Sequence, residues 1–180
     1  RGLGDVYKRQ DLSADWKGFD FRAFFQGVMK RDYWPTTRNS YFWGATCENV
    51  WYAVGFKQHL DYYRAEPYYG LDTNIDSYYP RPLQGNSKNV QKQTRYLQDA
   101  SYIRLKNLQI GYTLPSNLTS RFGIAKLRVF FSGENLWTGT KLPDMLDPET
   151  IFGGVSTGAG LNGQAYPISK SLSVGVNVTL

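Results

Sequence analysis

Absences set the first limits on this 180-residue sequence. Cysteine and histidine each occur once, so no disulfide framework can form within the chain and the usual Cys/His zinc constellations lack ligands. No run approaches the roughly 18 consecutive apolar residues of a membrane-spanning helix, which excludes helical membrane proteins. The N-terminus carries no charged, apolar, small-residue series of the secretory type. Charge of one sign is also scarce: 21 Lys+Arg stand against 15 Asp+Glu, a net +6. Between residues 31 and 100, eight basic and seven acidic side chains are interspersed, leaving no basic stripe of the kind phosphate binding requires. Nucleic acid is therefore not an expected partner.

What is plentiful is aromatic. Fourteen Tyr, ten Phe and five Trp make up 16% of the chain. Tyr and Trp gather where one end of a ring must be dry and the other wet, as at interfaces, sugar sites and membrane boundaries. Residues 1–10, RGLGDVYKRQ, show no apolar period and resemble translated adaptor sequence found in some metagenomic libraries. Setting them aside removes Arg1, Lys8, Arg9 and Asp5 and lowers the net charge from +6 to about +4. The remainder, 11–180, begins in mid-pattern and reads as the C-terminal part of a longer protein.

The dominant period is two. Phe19, Phe21, Ala23, Phe25 and Gly27 share one face, while Asp20, Arg22 and Gln26 lie on the other with a single Phe24. At the end of the chain Leu172, Val174, Val176, Val178 and Leu180 alternate with small or polar residues. Strands are predicted over residues 12–16, 19–29, 102–114, 126–137 and 168–180. The third changes phase near Asn107, where a bulge would restore register. Lys17 and Gly18 read as a tight hairpin.

The connections alternate short and long. Two residues join the first pair of strands and about eleven, starting at Pro115, join the third and fourth; about seventy and thirty residues fill the segments 30–101 and 138–167. A soluble sandwich spaces its turns more evenly, whereas bacterial outer-membrane barrels have short turns on one rim, long loops on the other and strands of about ten residues patterned apolar-out. The fold expected is thus all-β: an antiparallel curved sheet forming part of a transmembrane β-barrel, with long extracellular loops. Within the first loop, Thr46 followed by Glu48, Asn49, Val50, Trp51, Val54 and Leu60 predicts a short helix capped by Thr46.

Four segments in order, SYIRLKNLQIGYTLP (101–115), LRVFFSGENLWTGTK (127–141), DPE (147–149) and YPISKSLSVGVNVTL (166–180), together with WKGFDFRAFFQGVMKRDYW (16–34), resemble the C-terminal barrel of SusC/RagA-type TonB-dependent outer-membrane transporters of Bacteroidetes. The resemblance implies a barrel of roughly 22 strands, of which about five lie here. It also implies an N-terminal plug, energy supplied through TonB, and a SusD-like surface lipoprotein that closes over the lumen. Glycans, or peptides in some members, would be the cargo. The last strand, with its stripe Leu172 to Leu180, would by the same resemblance be read by the barrel-assembly machinery. Two departures stand out: this chain ends in Leu180 where the family has an aromatic residue, and HLDYYRAEPYY (59–69) differs from the family's loop.

Candidate ligand-contacting residues are loop aromatics, above all Tyr33, Trp34, Trp43, Tyr62, Tyr63, Tyr68 and Tyr69, since a ring stacks on a sugar face while neighbouring Asp and Asn bond hydroxyls. A loop this long must also pack itself, and self-packing or partner contact is the commoner use of any one ring. Asp144, Asp147 and Glu149 have the donor chemistry for Ca²⁺, but their spacing matches no EF-hand loop, and a solvated turn around Pro148 is the simpler reading. Neither a metal nor a cofactor is expected. His59 and Cys47 lack complementary ligands, and glycines 153, 154, 158, 160 and 163 do not follow a strand and open a helix, so no phosphate cradle is read. No separated acid and base nominate a glycosidase, and no catalytic residue is assigned. The competing class is a soluble secreted β-sandwich that binds carbohydrate. It requires the apolar strand faces to meet a second sheet, whereas a barrel turns them toward lipid.

Overall fold

The computed structural model describes residues 7–47, 54–83, 88–151 and 168–180. Strands follow in the order β1 Tyr7–Trp16, β2 Phe19–Val28, β3 Asp32–Tyr33, β4 Gln98–Asp99, β5 Tyr102–Thr113, β6 Lys126–Thr140 and β7 Ser171–Thr179, with single helical turns α1 Ser40–Trp43 and α2 Ser116–Thr119. The chain divides into two compact units: residues 1–31, 101–140 and 167–180 form one, and 32–100 with 141–166 form the other.

The first unit is one sheet in the order β1-β2-β5-β6-β7, every neighbouring pair antiparallel. Lys17 and Gly18, at φ 47° and 88°, make the expected hairpin turn, whose backbone twist matches that of the strands it joins. Pro115 precedes α2 in the other short connection, where its missing N–H costs the turn nothing.

Element ends differ from those expected from pattern. β1 reaches back to Tyr7, which pairs with Val28, so residues 7–10 lie in the strand although they were set aside on sequence. β6 continues past Trp137 to Thr140, opposite Tyr102, while β7 starts only at Ser171, opposite Glu134. A period of two says which way side chains point but not where a ladder stops; the partner strand decides that.

The phase change in β5 is a bulge, and it is shared. Lys106 has no opposite number in β2 between Phe24 and Phe25, and across from it β6 loops out Asn135 and Leu136 between Glu134 and Trp137. Asn135 takes φ 53°, which Asn tolerates better than other side chains outside glycine. Leu136 folds back over Gly133, where any Cβ would strike its side chain. The bulge thereby keeps both strands' apolar residues on one face.

The second unit has a core of its own, made of Tyr33, Phe42, Trp43, Cys47, Tyr79, Val90, Tyr96, Ala100, Leu142, Leu146 and Ile151. The β3–β4 ribbon pairs Asp32 with Asp99 and Tyr33 with Gln98. The helical turn falls earlier than predicted. Asn39 caps α1, its Oδ1 accepting the Phe42 N–H at 3.0 Å, and Gly44 at φ 56° ends it. Thr46 lies instead in a 3-10 turn at Gly44–Thr46, residues 54–56 are not helical, and Lys57–Leu60 is a separate 3-10 turn. Residues 48–53, where most of the predicted helix falls, are outside the described residues. Asn caps more strongly than Thr, and a left-handed glycine five residues later leaves no room for a longer helix.

Candidate transport surface and ligand loop

Register alone sorts the sheet into two faces. On one, Leu12, Ala14 and Trp16 of β1 adjoin Phe19, Phe21 and Ala23 of β2; these adjoin Leu108, Ile110 and Tyr112 of β5, then Val129 and Phe131 of β6, then Leu172, Val174, Val176 and Val178 of β7. The apolar stripe therefore crosses all five strands. It is also open: Trp16 is 68% exposed, Trp137 52% and Val174 77%. In an aqueous domain this much contiguous apolar surface would need a cover, and the described strands of the first unit form a single sheet with no second layer of their own. Aromatic residues flank the stripe, with Trp16, Phe19 and Tyr112 toward the short hairpin and Trp137 at the opposite end of its strand. The Phe19 and Tyr112 rings lie 4.5 Å apart.

The opposite face is polar and cross-linked by charge. Arg22 donates from Nε to Asp11 at 3.2 Å and from Nη2 at 2.6 Å, tying β1 to β2. Arg128 of β6 donates from Nε to Asp20 Oδ1 at 2.8 Å and from Nη2 to Oδ2, reaching over β5 to β2. Gly111 makes that reach possible, because a Cβ there would strike both Asp20 oxygens and Arg128 Nη2. Arg128 also stacks on Phe130, 5.0 Å from the ring centre, and Phe130 covers the vacancy beside Gly175 of β7. Arg104 is held by Thr138 Oγ1 at 2.7 Å.

In the second unit the predicted ligand-contacting rings separate into two groups. Tyr33 and Trp43 are core residues, 5% and 2% exposed, and Trp34 and Tyr62 pack against that core. The Trp43 indole N–H donates to the Thr36 carbonyl at 2.9 Å, and the Tyr33 hydroxyl accepts from Asn39 Nδ2 at 2.8 Å. Burial pushes the Tyr33 phenol up to about 12. Tyr33 and Trp43 are thereby enclosed, whereas Trp34 and Tyr62 are only half-buried. Tyr63, Tyr68 and Tyr69 remain outside, 41%, 61% and 90% exposed.

The exposed group sits on an arm, residues 61–79, folded on itself. Arg64 and Asn74 exchange backbone bonds of 2.9 and 2.8 Å, and Tyr68 and Leu71 exchange bonds of 2.9 and 3.0 Å around a turn with Tyr69 at φ 46° and Gly70 at φ 76°. The Arg64 side chain braces it, donating to the Asp72 and Leu60 carbonyls at 2.8 and 2.7 Å and stacking on Tyr62. Beside the arm lies an open depression of about 460 Å³ lined by Tyr63, Ile75, Asp76, Arg81, Asn89 and Tyr96 among others. Arg95 closes its floor with bonds to the Ser77 and Tyr78 carbonyls. Asp147 Oδ1 accepts the Glu149 N–H at 2.8 Å, so this carboxylate shapes a turn, and among the described residues Asp144, Asp147 and Glu149 form no metal-ligand group. The glycine-rich stretch beyond residue 151 lies outside the described residues.

Similarity to known proteins agrees with the two-faced sheet. The chain is 34% identical over 111 residues to TonB-dependent receptor P3 of Formosa agariphila, covering 59% of this chain and 11% of the relative. With TonB-dependent receptor P26 of the same organism it shares 29% identity over 98% of its length and 17% of the relative's. The RagAB peptide transporter structure superposes on 93% of the chain and 16% of its own with a TM-score of 0.60 at 27% identity; the importer in its closed-closed state gives 0.62 at 26%, covering 96% and 17%. What the chain is similar to is thus one part of two TonB-dependent receptors and of the RagAB importer. No protein-family model matches it.

The chain spans between about a tenth and a fifth of the length of the relatives it matches. Its place is the bacterial outer membrane, and the relatives are receptors and transporters rather than enzymes. No helix of the described residues is long and apolar enough to cross a membrane, which says nothing of a crossing by strands. What the residue pattern did not reveal is the role of Asn39, Phe42, Gly111 and His59. Asn39 and Gly44 bracket SYFW as a cap and a stop, a signal that was present in the sequence.

Proposed function

We propose that the five strands are wall staves of a closed barrel of roughly 22 strands that imports a nutrient across the outer membrane, powered through TonB. In this reading the apolar face meets lipid and the ion-paired face lines the passage. The segments 30–101 and 138–167 are extracellular, and the arm with Tyr63, Tyr68 and Tyr69 helps capture an oligosaccharide or peptide beneath a SusD-like lipoprotein. Strand β7, with Leu172, Val174, Val176 and Val178, serves together with the following Leu180 as the signal for the barrel-assembly machinery. The observation that carries the proposal is the uninterrupted, uncovered apolar face spanning all five strands opposite a face of Arg–Asp pairs. Lipid satisfies the first and water the second, and antiparallel pairing satisfies the backbone in both settings. A soluble sandwich needs a second sheet on the apolar face.

Neighbours on β7 provide the test. Val176 and Asn177 stand on opposite faces, opposite Val129 and Arg128. In the full-length transporter, Val176→Arg places a charge in hydrocarbon at a cost of about 2–4 kcal/mol, so the heat-modifiable folded form in the outer-membrane fraction falls sharply. Asn177→Arg leaves that fraction nearly unchanged. Equal tolerance of the two, or release of the protein from membranes without detergent, overturns the reading.

A further inference from the structure

His59 joins three segments of the second unit. Its Nδ1 accepts the Phe56 N–H at 3.0 Å, while Nε2 lies 3.0 Å from the Tyr41 carbonyl and 3.1 Å from that of Phe42. These partners assign the tautomer: a nitrogen facing an N–H must keep its lone pair, and one facing two carbonyls must carry the proton. The ring also meets Tyr79 edge-on at 5.3 Å and Phe56 at 5.7 Å. Gly44 leaves space for it, since a Cβ there would come within 2.8 Å of Nδ1. His59 therefore sits where α1, the 54–60 segment and the far side of the arm converge. Tyr79 begins and ends the ladder at the arm's base, donating to the Asp61 carbonyl at 3.0 Å and accepting from Tyr63 N–H at 3.1 Å.

We propose that His59 is a pH-operated clasp at the base of the arm at 61–79: neutral, it holds the Phe56 N–H, the α1 carbonyls and the Tyr79 ring in one junction, and protonation at Nδ1 expels the Phe56 N–H and loosens that junction. A proton on Nδ1 would point at the Phe56 N–H, donor against donor, and would break that bond. The groups bonded to or stacked on the ring, among the described residues, are backbone carbonyls, one N–H and aromatic rings, none of them charged. From α1 come two carbonyls and the Tyr41 ring. From the arm comes the Tyr79 phenol, which burial raises well above its usual range and so keeps neutral. The Asp61 carboxylate already accepts from Asn74 Nδ2 at 2.7 Å and from the Tyr78 N–H at 3.1 Å. On the histidine's own turn, Lys57 is a cation. Burial accordingly lowers the His59 pKa, opposed by the bonds to the Phe42 and Tyr41 carbonyls.

The sign follows. With a folded-state pKa below that of the released histidine, the clasp is fully effective above about pH 6.5 and weakens as the pH falls below it. The consequence for ligand capture rests on the transport reading; the clasp itself does not. Hydrogen exchange of the full-length transporter, without ligand and corrected for the intrinsic effect of pH, tests it. Between pH 7.5 and 5.0 the amides of Phe56, Tyr63 and Tyr79 should lose protection by up to about tenfold per pH unit traversed between the two pKa values, while those of β5 hold. In His59→Gln, which keeps a donor for the carbonyls and cannot titrate, protection is flat. Where β5 too is unprotected in that variant, His59→Asn, which keeps an acceptor for Phe56, takes its place. Wild-type protection that is flat, or the same loss in wild type and variant, overturns the clasp and leaves the transport reading untouched.

Discussion

Phe42→Ala is expected to open the loop unit while leaving the sheet paired. Phe42 is wholly buried and touches Trp43, Tyr78, Tyr79 and Tyr96, with ring centres 4.9 to 6.4 Å away and planes 64° to 84° apart. Edge-to-face geometry sets the positive rim of one ring against the negative face of the next, so each contact adds to the area buried. Alanine removes all four contacts and leaves a ring-sized void whose walls are themselves braced. Trp43 is tied to the Thr36 carbonyl and Tyr78 to Gln98 Nε2 at 2.9 Å, so collapse into the void is restricted. A Phe→Ala change at such a site costs about 3–5 kcal/mol, a factor of roughly 10² to several 10³ in the opening equilibrium. Native-state proteolysis of the full-length transporter measures it: cleavage within 54–83 should accelerate by that factor while the barrel keeps its heat-modifiable mobility. Phe42→Leu, which retains much of the volume, should cost far less, and Tyr69→Ala, at a ring 90% exposed, should change little. Equal cleavage of Phe42→Ala and wild type would mean that this ring does not hold the unit together.

The contrast between these rings shows what the sequence could and could not reveal. Strand identity was legible because alternation is local: the pattern at 19–27 and 172–180 declares a face without reference to any partner. The β5 bulge was legible for the same reason, since a break in phase at Asn107 has to be absorbed nearby. The aromatic loop was not legible ring by ring. Tyr33, Trp34 and Trp43 carry the same propensities as Tyr63, Tyr68 and Tyr69, and what distinguishes them is contact with Val90, Leu142, Leu146 and Ile151, far along the chain. His59 looked inert because a lone histidine has no ligand partners in sequence, yet three backbone groups give it a defined tautomer. Residues 7–10 carry no apolar period and so gave no strand signal; in the structure they pair through backbone with residues 25–28, a bond that tolerates any side chain but proline.

Gly111 is the other position where partners distant in sequence decide the outcome. Asp20 and Arg128 lie 108 residues apart and on strands that are not neighbours, and they meet only because β5 presents no side chain between them. Val is ordinarily the better strand residue, since glycine forfeits backbone entropy and packing. Gly111→Val should nevertheless destabilise the full-length transporter. Its side chain must occupy the space of the guanidinium–carboxylate fork, an overpacking cost of about 1–3 kcal/mol. The displaced pair, whose side chains are 18% and 30% exposed, adds about 1 kcal/mol or less, being partly screened. Replacing both Asp20 and Arg128 with Ala empties that space, and there the same Gly111→Val should become neutral or mildly stabilising. The comparison is a mutant cycle read by urea midpoints of the purified transporter, and a change of sign between backgrounds is its expected signature. An equal cost in both would show that Gly111 is required by the β5 backbone itself. A change of sign would show that the cost lies in the guanidinium–carboxylate fork that crosses β5, which glycine alone leaves room for.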